Sequence, residues 1–432
     1  MKTIHRILIT GLLACACLAT QDSYASASPE KKKNDQQTTL YFRGKVVDSE
    51  NGTPLIFASV AVKETNVATI TNIDGEFLIK INEADASRNL EITYLGYRNK
   101  VVPLSELRSD DFKNIIELSP APIPIKEIVV RPLDPEEIVR SAIGKISKNY
   151  TDVPNLMTAF YRETIRKNRN YVSIGEAVVE IFKAPYNNDL RFDGARIYKG
   201  RKSSDVERMD TILFKLQGGP VSVLQLDIIK NQEAILTFDA MQYYDYRLSS
   251  VIEIDEKPHY VIEFKQKPSV DIPLFIGSFF IEADTYALTE AEFGFNLEDK
   301  EAVSSIFIRK KPLGVQVTPE VATYRTKYRE QDGKLYFAYS RAEVRFKVNW
   351  KKKLFNTYYT TMSEIAITDR TTEEVIKIPK DEKIRHSDVF SEKVGDFADP
   401  EFWGDYNVIE PDQSIESAIR RLSRKLKFSE RD

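Results

Sequence analysis

The chain has 432 residues, a formal net charge of −3, 42% hydrophobic residues and 29% charged residues. That balance excludes a disordered chain and a nucleic-acid binder built on overall positive charge, and 17 Gly with 19 Pro exclude collagen-like and low-complexity classes. Tyr (21) and Phe (23) are abundant, so a mostly β fold is predicted, while three His and two Cys leave little material for metal or thiol chemistry.

Lys2 and Arg6, the apolar run from Ile7 to Ala19, and Ala25-Ser26-Ala27 read as a secretory signal peptide over residues 1–27, cleaved between Ala27 and Ser28. The apolar run is shorter than the roughly 18 residues a membrane-crossing helix needs, so no transmembrane span is expected in the mature chain. The alternative is a lipid anchor at Cys15 or Cys17, because Leu12-Leu13-Ala14-Cys15 resembles a lipobox. Either route exports the protein, to the periplasm or to the outer membrane. Residues 28–38 are polar and read as a flexible spacer. The mature chain stays mildly acidic, so its overall charge implies no attraction to an anionic surface.

Residues 39–131 alternate apolar and polar positions in short runs separated by turn chemistry. Leu40 to Val47 leads into Asn51-Gly52; Ala58, Val60 and Val62 share a face; Asn72-Ile73-Asp74-Gly75 turns into Phe77, Ile79 and Ile81. Leu90, Ile92 and Tyr94, then Ile116 and Leu118, complete a small β-sandwich. The runs Gly44-Lys45-Val46-Val47-Asp48, Thr71-Asn72-Ile73-Asp74-Gly75-Glu76-Phe77 and Leu95-Gly96-Tyr97 resemble the carboxypeptidase regulatory-like domain. The resemblance implies a transthyretin-like seven-stranded sandwich that accompanies carboxypeptidases without performing their hydrolysis. Asp74 and Glu76 are read as turn residues, because the alternating oxygen ligands of a calcium loop are missing. Pro120, Pro122 and Pro124 then space an extended linker into residues 125–130, which resemble the strand joining such sandwiches to receptor plugs. No plug and no membrane strand series follows, so a receptor barrel is disfavoured.

Residues 132–428 read as a large antiparallel half-barrel with N- and C-terminal helices and packing or lid helices. Asp134-Pro135 starts a helix carrying Ile138, Ala142, Ile146 and Tyr150 on one face. Strands are predicted over 157–166 and 171–182, joined at Asn168-Arg169-Asn170, then over 235–249, 251–264, 275–283 and 287–295. Gln331-Asp332-Gly333 joins 321–329 to 335–348. Gly218-Gly219-Pro220 interrupts the strands and is followed by Val221, Leu224 and Ile228 at helical spacing. These three are the candidate ligand-binding residues, in a short helix that either packs on the sheet or covers it as a lid. Pro411-Asp412 opens a last helix with Ile415, Ile419, Leu422 and Leu426 on one side and basic residues late in it. The arrangement resembles the outer-membrane lipoprotein-sorting type of fold. Phe160-Tyr161-Arg162-Glu163, Gly218-Gly219-Pro220, Gly277 to Ile281 and Phe402 to Asn407 are similar to envelope proteins that join a regulatory-like sandwich to this second region.

No catalytic residue, metal site or cofactor is assigned. His259 and His386 lack zinc-ligand spacing, and no nucleophile elbow or phosphate-binding loop occurs. The reading is a non-enzymatic envelope protein that binds an apolar or amphipathic ligand, a glycan or a partner protein. The alternatives are an assembly protein of the outer membrane with no pocket, and a carboxylate-only hydrolase. N-terminal sequencing of the exported protein is expected to begin at Ser28; an acylated Cys15 or Cys17 at the N terminus would establish the anchored form instead.

Overall fold

The computed structural model describes residues 38–109, 114–121, 134–186, 193–204, 216–231, 235–308, 313–351, 355–396 and 402–420. The signal segment with its Ala27–Ser28 site, Cys15, Cys17, residues 28–37, the linker prolines Pro122 and Pro124, residues 125–130 and the helix beyond residue 420 lie outside the described residues.

The protein is mostly β, as its composition predicts. Seven strands build the N-terminal sandwich: β1 (Thr39–Asp48), β2 (Ser59–Val62), β3 (Ala68–Ile70), β4 (Glu76–Asn82), β5 (Asn89–Thr93), β6 (Lys100–Pro103) and β7 (Asn114–Leu118). They form a three-stranded sheet, β4-β1-β7, facing a four-stranded one, β3-β2-β5-β6. The alternating positions Val46, Val60, Phe77, Ile79, Leu90 and Ile92 meet in the core between them. Asn72 makes the Asp74-Gly75 turn by accepting from the amides of Asp74 and Glu76, both at 2.9 Å, and Gly75 supplies φ 76°.

The second region is one open sheet of eleven strands. Its strands are β8 (Asn155–Lys167), β9 (Asn170–Lys183), β10 (Gly194–Ser204), β11 (Tyr244–Ile254), β12 (Lys257–Gln266), β13 (Phe275–Glu282), β14 (Leu288–Phe295), β15 (Val315–Gln331), β16 (Lys334–Trp350), β17 (Thr357–Thr371) and β18 (Gly395–Asp396). The order is β11-β12-β13-β14-β15-β16-β17-β8-β9-β10-β18, so a meander from β11 to β17 returns to pair with β8. The predicted hairpins at Asn168 and Asp332-Gly333 are present. The hairpin predicted near residue 250 differs: β11 begins at Tyr244 and its turn is Asp255-Glu256, both at positive φ (51° and 58°). Residues 240–243 form a 3-10 turn, so the apolar run starting at Ile235 packs as irregular chain before the strand begins. β10, β17 and the helix Lys300–Phe307, capped by Asp299, had no expectation attached.

Helix Pro135–Gly144, started by Asp134 accepting from Glu136 N, packs on the edge strand β11 and buries Ile138, Val139, Ala142 and Ile143 in the core on the inner face of the sheet. On the outer face the sandwich docks on the sheet through β3 and Phe57, with the segment 402–412 packed into the same cluster. Ile70 and Leu78 of the sandwich, Phe160, Val178, Tyr339 and Ala366 of the sheet, and Trp403, Val408 and Ile409 form one apolar cluster. Asn407 pairs with the edge of β4 as a neighbouring strand would, accepting from Lys80 N (2.7 Å) and donating to Lys80 O (2.9 Å). Asp74, at the turn of the sandwich, accepts from Gln413 N at the start of helix 413–420. The 402–413 segment thus fastens the two regions together.

Trp403 stacks edge-on against Phe160 at 5.4 Å and lies under the Arg201 guanidinium at 4.7 Å. Trp403→Ala is therefore expected to lower unfolding free energy by about 3–5 kcal/mol. Urea unfolding measures this, and a loss below about 0.5 kcal/mol would identify Trp403 as surface.

Candidate functional site

The inner face of the sheet is crossed by residues 216–231, which form a strap. Gly218 and Gly219 have φ of 81° and 47°, and Gly219 combines this with ψ −126°, a conformation open to glycine alone. This pair redirects the chain, Pro220 starts the helix Pro220–Leu224, and Ser222 Oγ closes the turn on Gln217 O at 2.8 Å. Gly218 N donates to Asp388 O (2.7 Å) and Gln217 bridges to Val389, so the strap is laid beside residues 388–390. Of the candidate residues, Leu224 and Ile228 are buried in the inner core and Val221 is partly buried against it.

Polar groups hold the strap as well as apolar packing. The hydroxyls of Ser340 (β16) and Thr326 (β15) donate to Val223 O (2.9 Å) and Leu226 O (2.7 Å). Asp227 is wholly buried and ion-paired to the wholly buried Lys183 of β9 at 2.6 Å. It also accepts from Tyr186 Oη (2.7 Å), Tyr328 Oη (2.8 Å) and Ile229 N (3.2 Å), while Asp193 pairs with the other side of Lys183. Burial opposes the Lys183 ammonium, but the two carboxylates outweigh it and hold its pKa above the ordinary lysine range. Asp227, Lys183, Tyr186 and Tyr328 escaped the sequence reading. The one available signal was a charge embedded between Leu226 and Ile228 in an otherwise apolar stretch.

Beside the strap lies a second buried group. Glu163 of β8 accepts from Tyr161 Oη at 2.8 Å, and among the described residues no cation pairs with it. Gly175 on β9 leaves the room that Phe390 fills above it, since an added Cβ would come within 2.7 Å of that ring and 3.3 Å of Glu163 Cγ. Burial pushes the Glu163 carboxyl up to about 8, with the Tyr161 bond acting the other way. Residues Tyr161 and Glu163 face the strap side, whereas Phe160 and Arg162 face Trp403 and Ile409 on the outer side. Three of the motifs singled out in the sequence thus converge on one strand.

His259 is buried, with Nδ1 bonded to Lys257 O at 2.9 Å, and burial lowers its pKa to about 4. It is a buried, hydrogen-bonded packing residue at the start of β12. A narrow cleft of about 80 Å³ separates sandwich and sheet, lined by Tyr94, Asp255, Glu290, Lys327 and Arg329 among others. Its cations are desolvated: burial lowers Lys327, with Glu290 opposing, and brings Arg329 to about 10. The volume suits a few waters and is too small for an acyl chain. Among the described residues no group of three or more His, Cys, Asp or Glu is placed to hold a metal, and no helix is long and apolar enough to cross a membrane.

Because the folded pKa of Glu163 lies above its unfolded value, its favourable contribution is complete below about pH 4.5 and is lost as pH rises through 8. Glu163→Gln is expected to stabilise the protein by about 2–3 kcal/mol at pH 8 and to have little effect near pH 4.5. Thermal or urea unfolding across that range checks it; a pH-independent difference would contradict the assignment.

No curated protein matches the chain. Among solved structures it is similar to a DUF1329 family protein from Desulfovibrio piger, at 11% identity and TM-score 0.25, covering 56% of this chain and 95% of that one. It is also similar to an outer-membrane lipoprotein-sorting protein domain from Vibrio parahaemolyticus, at 8% identity and TM-score 0.24, covering 56% and 95%. Lipovitellin matches at 9% identity and TM-score 0.25, covering 59% of this chain and 29% of that one. Likenesses at these scores carry no function across. The family model of the CarboxypepD_reg-like domain matches residues 42–130, and the seven-stranded sandwich is that domain.

Proposed function

We propose that the protein is a non-enzymatic, exported module of the cell envelope that binds an amphipathic ligand on the inner face of the sheet, with the strap as its cover. The observation that carries this reading is the mixed chemistry beneath the strap. Ser340 and Thr326 present hydroxyls to strap carbonyls, and Lys183, Tyr328 and Tyr186 converge on Asp227, among walls of Leu, Ile, Val and Phe. A ligand with a polar head and an apolar body would meet the same donors and the same walls when the strap moves aside. Val221, Leu224 and Ile228 then act as stand-ins for the apolar body. The sandwich, fastened to the opposite face, leaves this side unobstructed.

A second reading is favoured by the burial of Leu224 and Ile228 and the saturation of Asp227: an assembly protein with a filled core that acts through its surfaces. A fluorescent fatty-acid analogue titrated into wild type and Asp227→Asn separates the two. On the first reading the variant, whose strap is held less tightly, binds more strongly, because the open state is more populated. Mass spectrometry of the purified protein then finds a copurified amphiphile. Absence of saturable binding by both proteins, together with no copurified amphiphile, leaves the assembly reading.

A further inference from the structure

The cleft of about 80 Å³ between sandwich and sheet has walls from both regions: Thr69, Thr93 and Tyr94 on one side, and the outer face of β14, β15 and β16 on the other. Two β-bulges shape the sheet wall. Thr289 is the extra residue between the pairs Phe280–Glu290 and Ile281–Leu288, and Ala338 is the extra one between Lys327–Tyr339 and Tyr328–Phe337. Both bulged residues line the cleft. At its solvent-facing side Asp255 holds φ 51°, and its carboxylate accepts hydrogen bonds from the side chains of Asn99 and Thr93 of the sandwich.

Charges of both signs face this space. Arg329 of β15 makes one hydrogen bond among the described residues, from Nη2 to Asn66 O at 3.1 Å, and no carboxylate there pairs with it. Burial and the neighbouring Arg370 lower its pKa to about 10, with Asp369 and Glu91 opposing at longer range, as befits a guanidinium short of a counter-charge. Two residues back on the same strand, Lys327 pairs with Glu290 at 3.3 Å and donates to Phe57 O at 3.3 Å. Glu290 Oε1 is buried 3.5 Å from Arg325 Nε and accepts no hydrogen bond among the described residues. The cleft therefore has unused donors at one place and an unused carboxylate oxygen at another.

We propose that this cleft binds a compact zwitterion, a free amino acid of glycine or alanine size, with its carboxylate on Arg329 and its ammonium toward Glu290 and Asp255. A simple anion would meet two carboxylates, and a simple amine would meet Lys327 and Arg329. A molecule carrying both charges is matched at each end. At roughly 10–15 Å³ for each water-sized unit, the space takes about five to eight non-hydrogen atoms, enough for glycine or alanine and too few for an aromatic amino acid. Because both regions supply walls, the bound molecule bridges them and tightens the sandwich on the sheet. The site is separate from the inner face beneath the strap and does not depend on what that face binds.

The test is isothermal titration calorimetry of the full chain with glycine, L-alanine and D-alanine, and with acetate, methylammonium and inorganic phosphate as probes of a single charge sign. At least one amino acid is expected to bind saturably with a dissociation constant of about 1 mM or tighter, which is within reach of so few atoms. Each single-sign probe is expected to bind about tenfold more weakly or worse. Hydrogen exchange with the amino acid bound is expected to slow at 93–95, 254–256 and 327–329 and to stay unchanged at the strap, 216–231. Arg329→Met, which keeps an apolar stem, is expected to weaken binding about tenfold or more. Asp255→Asn, at an exposed turn, is expected to weaken it about threefold or more and serves if the first variant does not fold. Absence of saturable binding by all three amino acids overturns the proposal, as does equal affinity for any single-sign probe. Protection at the strap instead of the cleft, or wild-type affinity in a folded variant, overturns it too.

Discussion

A transverse row of charges on the outer face holds the two regions of this protein in register. Arg201, Glu176, Arg162, Glu364 and Arg341 are direct cross-strand neighbours on β10, β9, β8, β17 and β16. Their ion pairs run at 3.0, 3.0, 3.5 and 3.3 Å across four successive strand boundaries. Arg162, at 2% side-chain exposure, also donates to Ile409 O at 2.6 Å. Burying a guanidinium is costly, yet with a carboxylate on each side its charge is compensated and its donors are used. A one-residue slip of any of these strands would turn its charge into the apolar inner core, so the row penalises every wrong register.

The row also explains how the sandwich is seated. Phe57 lies over Arg341 at 5.0 Å and Arg325 at 5.7 Å, Phe160 over Arg162 at 5.2 Å, and Trp403 over Arg201 at 4.7 Å. Aromatic faces thus roof over guanidinium planes that are already neutralised in the plane of the sheet. The two fastenings are therefore coupled: the segment carrying Trp403, Asn407 and Ile409 binds the sandwich on one side and Arg162 on the other.

The inner face follows a different rule. There the sheet is apolar, and the few polar groups that remain are concentrated where the strap crosses. Asp227 gathers an ammonium, two phenols and a backbone amide, which satisfies a buried carboxylate that would otherwise be strongly destabilising. Glu163 has no cation paired with it among the described residues, and burial raises its carboxyl pKa instead. Strap and sheet are joined by groups that also suit a polar ligand head, which is why covering and binding can share one surface.

Much of the architecture was legible from residue order alone. The sandwich follows from period-two alternation punctuated by Asn-Gly and Asp-Gly, because a strand with one buried face must alternate and a tight turn must reach positive φ. The same logic located the hairpins at Asn168 and Asp332, and Gly218-Gly219-Pro220 marked the strap. It misplaced the β11–β12 turn, since Asp255-Glu256 reaches positive φ without glycine or asparagine and so leaves no compositional mark. It passed over β17, whose return to β8 spans nearly the whole second region. Register and partnership between distant strands decide where charges meet, and local sequence carries neither. Arg162, Glu176 and Glu364 read individually as ordinary solvated charges; only the pairing of β9, β8 and β17 makes them one buried row. Asp227 and Lys183 likewise look unremarkable until the strap folds across the sheet. What the sequence determined by itself was each element and the face it buries, because those depend on neighbours a few residues away; which charges meet, and which surface stays open, was decided by contacts between residues far apart in the chain.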